Sequence, residues 1–435
     1  MKLRPCFLVC TAMALLLGAC SSEPPSAAVE TPREGEPADM DDPAVWVHPT
    51  NRAKSLIVAA AKKGGLRVYD LSGRLVKSYP SAVGAEGEPI NRYNNVDVQY
   101  DFDMGGGVRI DVAVASDRLQ DSLRIWKIDP QAAGGPLVDI TDPSLARLFP
   151  TRPDPADREH QTVDNPNNGK NTAYGLTLYR DKGRDELHAL VNQNNEAVIA
   201  QFELTAVPGG RIGATFVRRW LFPYIYEDQD LTQENEADPT KDFSPQFEGM
   251  AVDQQTGILY AGQEDVGIWR IDLQTGAAET RPFYETTAFD PQSTIARDVE
   301  GLSIYYASGG EGYLIASSQG RAHGEPPRAP QPGLDDTFAV FAREGKNAYL
   351  GSFSIGANPA RGIDAVQECD GAEVSNVALP GFPFGVLIVQ DGYDDDLDGL
   401  SGEPKATNLK LVPWQHIAGP NELAIDTGYD PRAQR

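Results

Sequence analysis

The chain has 435 residues, a formal net charge of −25 and four cysteines. So acidic a surface disfavours nucleic acids and anionic lipid headgroups as partners, and it disfavours a polyanionic substrate unless cations intervene. Three cysteines (Cys6, Cys10 and Cys20) fall within the first twenty residues. The remaining Cys369 then has no partner for an intrachain disulfide, and we interpret it as structural.

The N-terminus has the form of an export signal. Lys2 and Arg4 supply positive charge, and residues 7–17 form an apolar run too short to span a bilayer comfortably. The run ends in Leu-Gly-Ala-Cys at 17–20, which resembles the bacterial lipobox, so Cys20 is the predicted lipidation site. An ordinary secretory signal with an incidental cysteine is the alternative, and the protein would then be secreted.

These features predict how the chain is divided. We expect a lipoprotein signal peptide at 1–20, a flexible Pro/Ala/Glu-rich tether at 21–37, one domain at 38–425 and a C-terminal tail at 426–435. The protein would be exported and anchored by lipid to the bacterial outer membrane or cell surface. The anchor would be its membrane contact, and a monomer is expected.

From about residue 39 onward, short apolar runs alternate with turns rich in Gly, Pro, Asp and Asn, and no long stretch has a helical period. Six times, such a run is followed by a polar turn and usually by a second run with an aromatic residue near its end. The six units are 56–69, 110–126, 187–202, 259–269, 314–341 and 386–414. Strand-like segments precede them at 41–49, 94–100, 173–179, 247–253, 299–306 and 361–366.

Six units of three or four antiparallel strands predict an all-β fold, a six-bladed β-propeller. Radial closure protects the edges of the sheets, which favours this architecture. An open β-solenoid or a pair of sandwiches is the alternative, although the lengths of the units vary too much for a solenoid.

Alignment of the units places polar residues near the start of each first strand and just after each second strand. Equivalent positions of propeller blades lie on a common circle, so these side chains should converge on one rim of the central channel. The candidate metal ligands are Asp42, Asp97, Glu248, Glu264, Asp298, Glu300, Gln319, Asp364 and Asp391.

So many acids on one rim require counter-charge. Two carboxylates about 5 Å apart repel by roughly 3 kcal/mol at an effective dielectric constant near 20. Oxygen ligands suit several Ca²⁺ ions best and Mg²⁺ or Mn²⁺ less well. Zinc is disfavoured, since the chain has only five histidines and none pair at ligand spacing. The alternative is a set of solvated surface acids on turns.

Cations interrupt the acidic pattern at matching places in adjacent units. Lys62 and Lys63 follow one second strand, and Arg118 follows the next. Beside bound metal, such cations would hold phosphate oxygens, and an arginine can bind two at once. Without the alignment, the two lysines would be read as an exposed strand end.

Taken together, these motifs resemble the β-propeller phytases, in the order of that family, from about residue 39 to 420. The motifs are DDPAVWVHP (41–49), NNVD (94–97), FEGM (247–250), EDVGIW (264–269), DVEGL (298–302), ASSQG (316–320), GID (362–364), PFG (383–385) and VPW (412–414).

The resemblance implies hydrolysis of phytate, myo-inositol hexakisphosphate, as its calcium complex. Water activated by calcium would attack phosphorus directly, without a covalent phospho-enzyme, which also explains how an acidic protein binds a polyanion. The resemblance assigns residues to two roles. The carboxylates of the catalytic centre would be Glu248, Glu264, Asp298 and Glu300, and the substrate phosphates would be held by Lys62, with Lys63 beside it, Arg118 and Tyr174.

The chain departs from the family in one place. The family often has a second substrate-binding lysine after the strand that corresponds to 187–191, where this chain reads Asn-Gln-Asn-Asn-Glu at 192–196. That change puts in doubt the tightness of binding at an adjacent phosphate pocket.

Two other functions remain open from the sequence. A calcium-dependent propeller lactonase also uses acids at the mouth of a propeller, but a neutral lactone needs no cationic clamp. A non-catalytic surface lipoprotein that captures phosphorylated or metal-bound ligands is the other. The run DDDLDG at 394–399 matches the first half of an EF-hand loop, yet Lys405 occupies the twelfth position, and we interpret it as an acidic turn.

Overall fold

Six four-stranded antiparallel sheets make up this computed structural model, which describes residues 24–35, 37–150, 171–233, 242–319, 331, 333–393 and 406–433. Blade 1 contains β2 (Pro43–Trp46), β3 (Leu56–Ala60), β4 (Leu66–Asp70) and β5 (Leu75–Tyr79). Blade 2 contains β6 (Tyr93–Asp103), β7 (Arg109–Asp117), β8 (Ser122–Ile128) and β9 (Leu137–Asp139). Blade 3 contains β10 (Ala173–Asp181), β11 (Glu186–Gln193), β12 (Val198–Val207) and β13 (Arg211–Leu221). Blade 4 contains β16 (Phe247–Asp253), β17 (Ile258–Gln263), β18 (Gly267–Asp272) and β19 (Tyr284–Glu285). Blade 5 contains β20 (Val299–Tyr306), β21 (Gly312–Ser318), β22 (Thr337–Ala342) and β23 (Tyr349–Ser354).

Blade 6 closes the ring with a strand from the other end of the chain. It contains β24 (Ala372–Ser375), β25 (Val386–Asp391), β26 (Asn408–Pro413) and β1 (Val29–Glu30). The described residues also form a short hairpin, β14 (Ile225–Tyr226) and β15 (Gln229–Asp230), and an α-helix, α1 (Trp414–Ala418). Short 3-10 helices lie at Arg52–Lys54, Ser308–Gly310 and Pro431–Ala433. Within the described residues, no helix is long and apolar enough to cross a membrane.

The first strands of neighbouring blades pack on one another around the central channel, and β2 contacts both β6 and β24. Each sheet is therefore covered on both faces by its neighbours. The core reflects this arrangement, because Tyr260 and Ile268 of blade 4 pack in one cluster with Leu314 and Phe341 of blade 5. Burial of both faces explains why the strands read as continuous apolar runs, and the predicted six-bladed propeller is confirmed.

The N-terminal segment belongs to the propeller, in contrast to the flexible tether predicted at 21–37. Val29 pairs with Leu411 and Glu30 with Lys410 in antiparallel register. Ala27 is fully buried, and the hydroxyl of Thr31 accepts a hydrogen bond of 2.9 Å from the backbone of Leu409. Without this strand the edge of β26 would be unpaired, so residues 24–35 close the last blade.

The C-terminal segment is also packed, where the sequence predicted a tail from residue 426. The ring of Tyr429 stacks on Tyr306 with 4.0 Å between centroids. Arg432 donates hydrogen bonds of 2.6 and 3.1 Å to the two carboxylate oxygens of Asp111. These contacts join the chain end to blades 2 and 5.

Candidate active site

The first strands of four blades share an irregularity near their start. The register with the second strand shifts between Tyr93 and Val96, Ala173 and Leu176, Phe247 and Met250, and Val299 and Leu302. Such shifts re-aim side chains, here Tyr174, Glu248 and Glu300. A Cβ at Gly175 would lie 2.1 Å from the carbonyl oxygen of Glu248, and one at Gly249 would lie 2.0 Å from that of Glu300. Only glycine permits these close approaches, so the Tyr-Gly and Glu-Gly pairs fix how the blades meet.

Three carboxylates, which we call the carboxylate trio, lie together at this end of the channel. Glu248, Glu264 and Glu300 are buried, and each offers an oxygen within 4.8 Å of the others. Pairs at such distances repel by about 3 kcal/mol at an effective dielectric constant near 20. Burial, and then the charge of Asp370, raises the pKa of Glu248 to about 7. The pKa of Glu300 is raised well above its ordinary value by burial and then by Glu248.

Two donors, one from blade 2 and one from blade 3, hold Glu248. The side-chain amide of Asn94 donates a 2.6 Å hydrogen bond to its Oε1. The hydroxyl of Tyr174 donates a 2.5 Å hydrogen bond to its Oε2. The guanidinium carbon of Arg118 lies 4.9 Å from the centre of the Tyr174 ring, which places that cation beside the trio. The structure thus brings together two residues predicted to bind substrate and one predicted metal ligand.

Glu264 and Asp298 adjoin the same centre from the loops after β17 and before β20. The side-chain amide of Gln246 donates hydrogen bonds of 2.6 and 2.9 Å to the two oxygens of Glu264. The backbone of Asp298 donates a 3.2 Å hydrogen bond to the carbonyl of Glu264. Burial, followed by the charge of Asp298, raises the pKa of Glu264 well above its ordinary value. Asp298 therefore adds a fourth carboxylate beside the trio, while its predicted role as a metal ligand stays a prediction.

Lys62 lies within a second cluster of acidic side chains. Its ammonium lies 3.0 Å from Asp39, 3.4 Å from Asp41 and 3.0 Å from Asp370. Burial would lower the pKa of Lys62, but these three acids outweigh burial and raise it well above its ordinary value. Lys63, predicted beside it, is exposed to solvent. The structure therefore separates the two lysines, and Lys62 is the one that faces the acidic rim.

Asp370 was missed because the sequence placed the first strand of the sixth unit at 361–366. In the structure the first strand of blade 6 is β24, and Asp370 lies two residues before it. With the strand placed there, the same alignment would have selected Asp370. Gln319, a predicted ligand, donates a hydrogen bond to Oδ1 of Asp370. Asp41 was passed over in favour of Asp42, although it lies at the same entry to β2. Both carboxylate oxygens of Asp41 are buried without a hydrogen-bond partner.

Asp364 and Asp391 are placed differently from the other predicted metal ligands. Both pair with the fully buried ammonium of Lys410, which donates a 2.6 Å hydrogen bond to Oδ2 of Asp391 and another to Oδ1 of Asp364. The lysine also donates a 2.8 Å hydrogen bond to the carbonyl of Ala365. The ammonium of Lys410 thus supplies the positive charge that was predicted to come from a metal ion at Asp364 and Asp391. Lys410 lies within an apolar β26 and gave no signal of this role.

Asp42 and Asp97 line the channel itself. Oδ2 of Asp42 accepts a 3.0 Å hydrogen bond from the backbone of Val96. The two oxygens of Asp97 accept backbone hydrogen bonds of 2.6 Å from Val98 and 2.8 Å from Leu178. Burial raises the pKa of Asp97 to about 6. Asp97 therefore joins blades 2 and 3, and both residues face a cavity that extends along the channel from the trio.

Three sequence interpretations lie outside the described residues. They are the signal peptide at 1–20, the lipidation site Cys20 and the acidic turn at 394–399.

The fold and the site define an acid-rich β-propeller with a buried carboxylate centre, flanked by the cationic side chains of Lys62 and Arg118. Residues 6–150 and 239–435 match the family model described as phytase. A 3-phytase of Bacillus subtilis (strain 168) is 30% identical over 381 residues, which cover 87% of this chain and 80% of that protein. The chain belongs to the phytase family and is an enzyme of that family, which confirms the predicted assignment.

Among solved structures, the periplasmic gluconolactonase PpgL of Pseudomonas aeruginosa matches with a TM-score of 0.40 and 13% identity. The match covers 72% of this chain and 70% of that one. A likeness at this level carries no argument about activity.

Proposed function

We propose that this protein hydrolyses phytate and lower inositol phosphates in a calcium-dependent reaction at the carboxylate trio. The observation that carries the proposal is the burial of Glu248, Glu264 and Glu300 within 4.8 Å of one another, in a chain of the phytase family. The 3-phytase relative from Bacillus subtilis supports the same substrate class. The alternatives, a propeller lactonase and a non-catalytic binding protein, have no comparable observation in their favour.

The trio fits a hard divalent cation. Oε2 of Glu300 is buried without a hydrogen-bond partner, and carboxylate oxygens are the ligands that calcium prefers. Glu248, Glu264 and Glu300 would hold the ion, with Asp298 beside them. Calcium bound there would supply positive charge to the phosphate oxygens and activate water for attack on phosphorus.

The remaining groups orient the trio and receive the phosphates. Asn94 and Tyr174 fix the Glu248 carboxylate, so its oxygens need little reorganisation when a cation binds. Arg118 on one side and Lys62 on the other are the cations that would bind phosphate oxygens directly. Asn194 stands within the stretch where the family often has a lysine, so we expect the adjacent phosphate pocket to bind less tightly.

Phosphate release from phytate tests the proposal when it is measured with calcium, with chelator and after calcium is restored. Activity should vanish with chelator and return with calcium. Glu300→Gln should lower kcat by about a hundredfold or more, because it removes a charge that holds the cation. Glu311→Gln is the matched control, since Glu311 is exposed beyond the other end of β20.

Two results would contradict the proposal. Release that persists in chelator would refute the calcium requirement. A folded, calcium-loaded protein that releases nothing from phytate or smaller inositol phosphates would refute the substrate, and lactones and ligand binding would then be tested.

We also propose that the protein is exported and anchored by lipid at Cys20. The Leu-Gly-Ala-Cys sequence at 17–20 after an apolar run supports this location. Cys20→Ser should move the protein from the membrane fraction to the soluble fraction, and mass spectrometry of the mature N-terminus should show the lipid in the wild type. Equal fractionation of the two proteins would contradict the anchor.

A further inference from the structure

Two side-chain amides connect Arg118 to Glu264. Nη2 of Arg118 donates a 3.1 Å hydrogen bond to Oδ1 of Asn194. Nδ2 of Asn194 donates a 2.8 Å hydrogen bond to Oε1 of Gln246. Nε2 of Gln246 then donates to both oxygens of Glu264, at 2.6 and 2.9 Å. We call Asn194 and Gln246 the amide relay.

The chemistry of its two ends fixes the direction of the relay. A guanidinium only donates hydrogen bonds and a carboxylate only accepts them, so each amide must turn its oxygen toward Arg118 and its NH₂ toward Glu264. The backbone of Asn195 donates a further 2.9 Å hydrogen bond to Oε1 of Gln246, which fixes the orientation of that amide independently. Consecutive hydrogen bonds that run from a cation to an anion polarise one another.

The relay lies in a largely buried part of the site. The side chain of Asn194 is 2% exposed and that of Glu264 is 5% exposed. The Asn194 amide therefore cannot exchange its partners for bulk water without leaving a buried polar group unsatisfied, which costs free energy. Gln246 is half-buried and is held by its hydrogen bonds to Asn194, Asn195 and Glu264. Loss of either amide would leave its neighbour in the relay without one of its hydrogen-bond partners.

We propose that Asn194 and Gln246 are positioning residues that hold Arg118 and Glu264 in register, so that the phosphate-binding cation and the calcium-binding carboxylate are set as one unit. The inference rests on the proposed function of this site. It also assigns a task to Asn194, which stands within the stretch where the family often has a lysine: it supplies geometry without adding charge.

Two variants separate this role from a merely structural one. Gln246→Leu removes the hydrogen bonds to Glu264 but keeps Asn194, the amide that contacts Arg118. Asn194→Ala removes the hydrogen bond to Arg118 but keeps Gln246, the amide that contacts Glu264. Calcium binding is measured by calorimetry without substrate, and KM is measured with phytate. The relay predicts crossed effects, so each variant should weaken calcium binding and raise KM by about tenfold, the change typical of losing one hydrogen bond to a charged group.

The double variant should be no worse than the poorer single variant, because both changes break one relay. Gln292→Leu, at an exposed glutamine in the connection between blades 4 and 5, is the matched control and should leave both quantities unchanged. A crystal structure of calcium-free Gln246→Leu should show Arg118 displaced from residue 194, and this readout needs neither calcium nor activity.

Additive effects in the double variant would overturn the proposal. It would also be overturned if Gln246→Leu altered only calcium binding and Asn194→Ala altered only KM. An undisplaced Arg118 in the Gln246→Leu crystal would overturn it too. A wild-type protein that binds no calcium would defeat the proposed function instead, and the position of Arg118 in the crystal would then decide the relay alone.

Discussion

The hydroxyl of Tyr174 donates a 2.5 Å hydrogen bond to Oε2 of Glu248, across the boundary between blades 3 and 4. The same tyrosine presents its ring to Arg118, at 4.9 Å from the guanidinium carbon. One side chain thus contacts a carboxylate of the trio through its oxygen and, through its ring, the guanidinium that we propose binds phosphate. The two contacts can be removed separately.

Tyr174→Phe should weaken calcium binding and leave KM for phytate nearly unchanged. It deletes the hydrogen bond to Glu248 and keeps the ring under Arg118, so the calcium concentration for half-maximal activity should rise by about tenfold. Tyr174→Leu removes both contacts and should raise KM as well. Kinetics over a calcium series will distinguish the two. A Tyr174→Phe enzyme with unaltered calcium dependence would show that Asn94 alone holds Glu248.

Lys62 and Lys63 form a matched pair for testing the phosphate-binding role. Lys62 faces three carboxylates of the rim, and Lys63 is exposed. Lys62→Met should raise KM for phytate by about tenfold or more, since a cation near the substrate is lost. Lys63→Met should stay within about twofold of the wild type, as expected for a solvent-exposed charge. Equal effects of the two substitutions would contradict the separation seen in the structure.

The sequence predicted the propeller and all three residues of the trio for a physical reason. Each blade repeats one local pattern, so aligned polar positions such as Glu248, Glu264 and Glu300 must share a rim once the ring closes. The prediction failed where a blade departs from that pattern. Blade 6 takes its outer strand from Val29–Glu30. Its first strand, Ala372–Ser375, is short and lies later than the strand-like segment at 361–366.

Contacts between residues far apart in the chain were equally invisible. Lys410 lies in an apolar strand that gives no sign of its partner Asp364, 46 residues earlier. From the sequence, Asn194 was noted only because it lies in a stretch that lacks the lysine that the family often has. Its bonds to Arg118 and Gln246 span 76 and 52 residues and appear only when three blades are packed together.

Lys410→Met should destabilise the protein strongly. The ammonium is fully buried between Asp364 and Asp391, and removal of one partner of a buried ion pair typically costs about 3–5 kcal/mol. Adding Asp364→Asn and Asp391→Asn should recover much of this loss, since no buried charge then remains there. Thermal unfolding of the single and triple variants checks the expectation. A single variant as stable as the wild type would show that another cation replaces the ammonium.

Stability of the calcium-free protein should fall as pH rises from about 5 to 8. Burial and then Asp370 raise the pKa of Glu248 from 4.5 to about 7. A carboxyl with a raised pKa binds its proton more tightly in the folded state. Its contribution is therefore complete below the unfolded pKa and is lost as pH rises through the folded pKa. The pKa values of Glu264 and Glu300 are raised in the same direction, first by burial and then by neighbouring acids.

Calcium should reverse this trend, because it binds the deprotonated carboxylates and stabilises the folded state by mass action. We therefore expect the difference in Tm between calcium and chelator to widen from pH 5 to pH 8. In chelator at pH 8, Glu300→Gln should have a higher Tm than the wild type, since it removes one of three mutually repelling charges. Scanning calorimetry at both pH values measures this. A difference in Tm that stays constant with pH, or a wild type more stable than Glu300→Gln in chelator, would mean that the trio is not charged in the calcium-free protein.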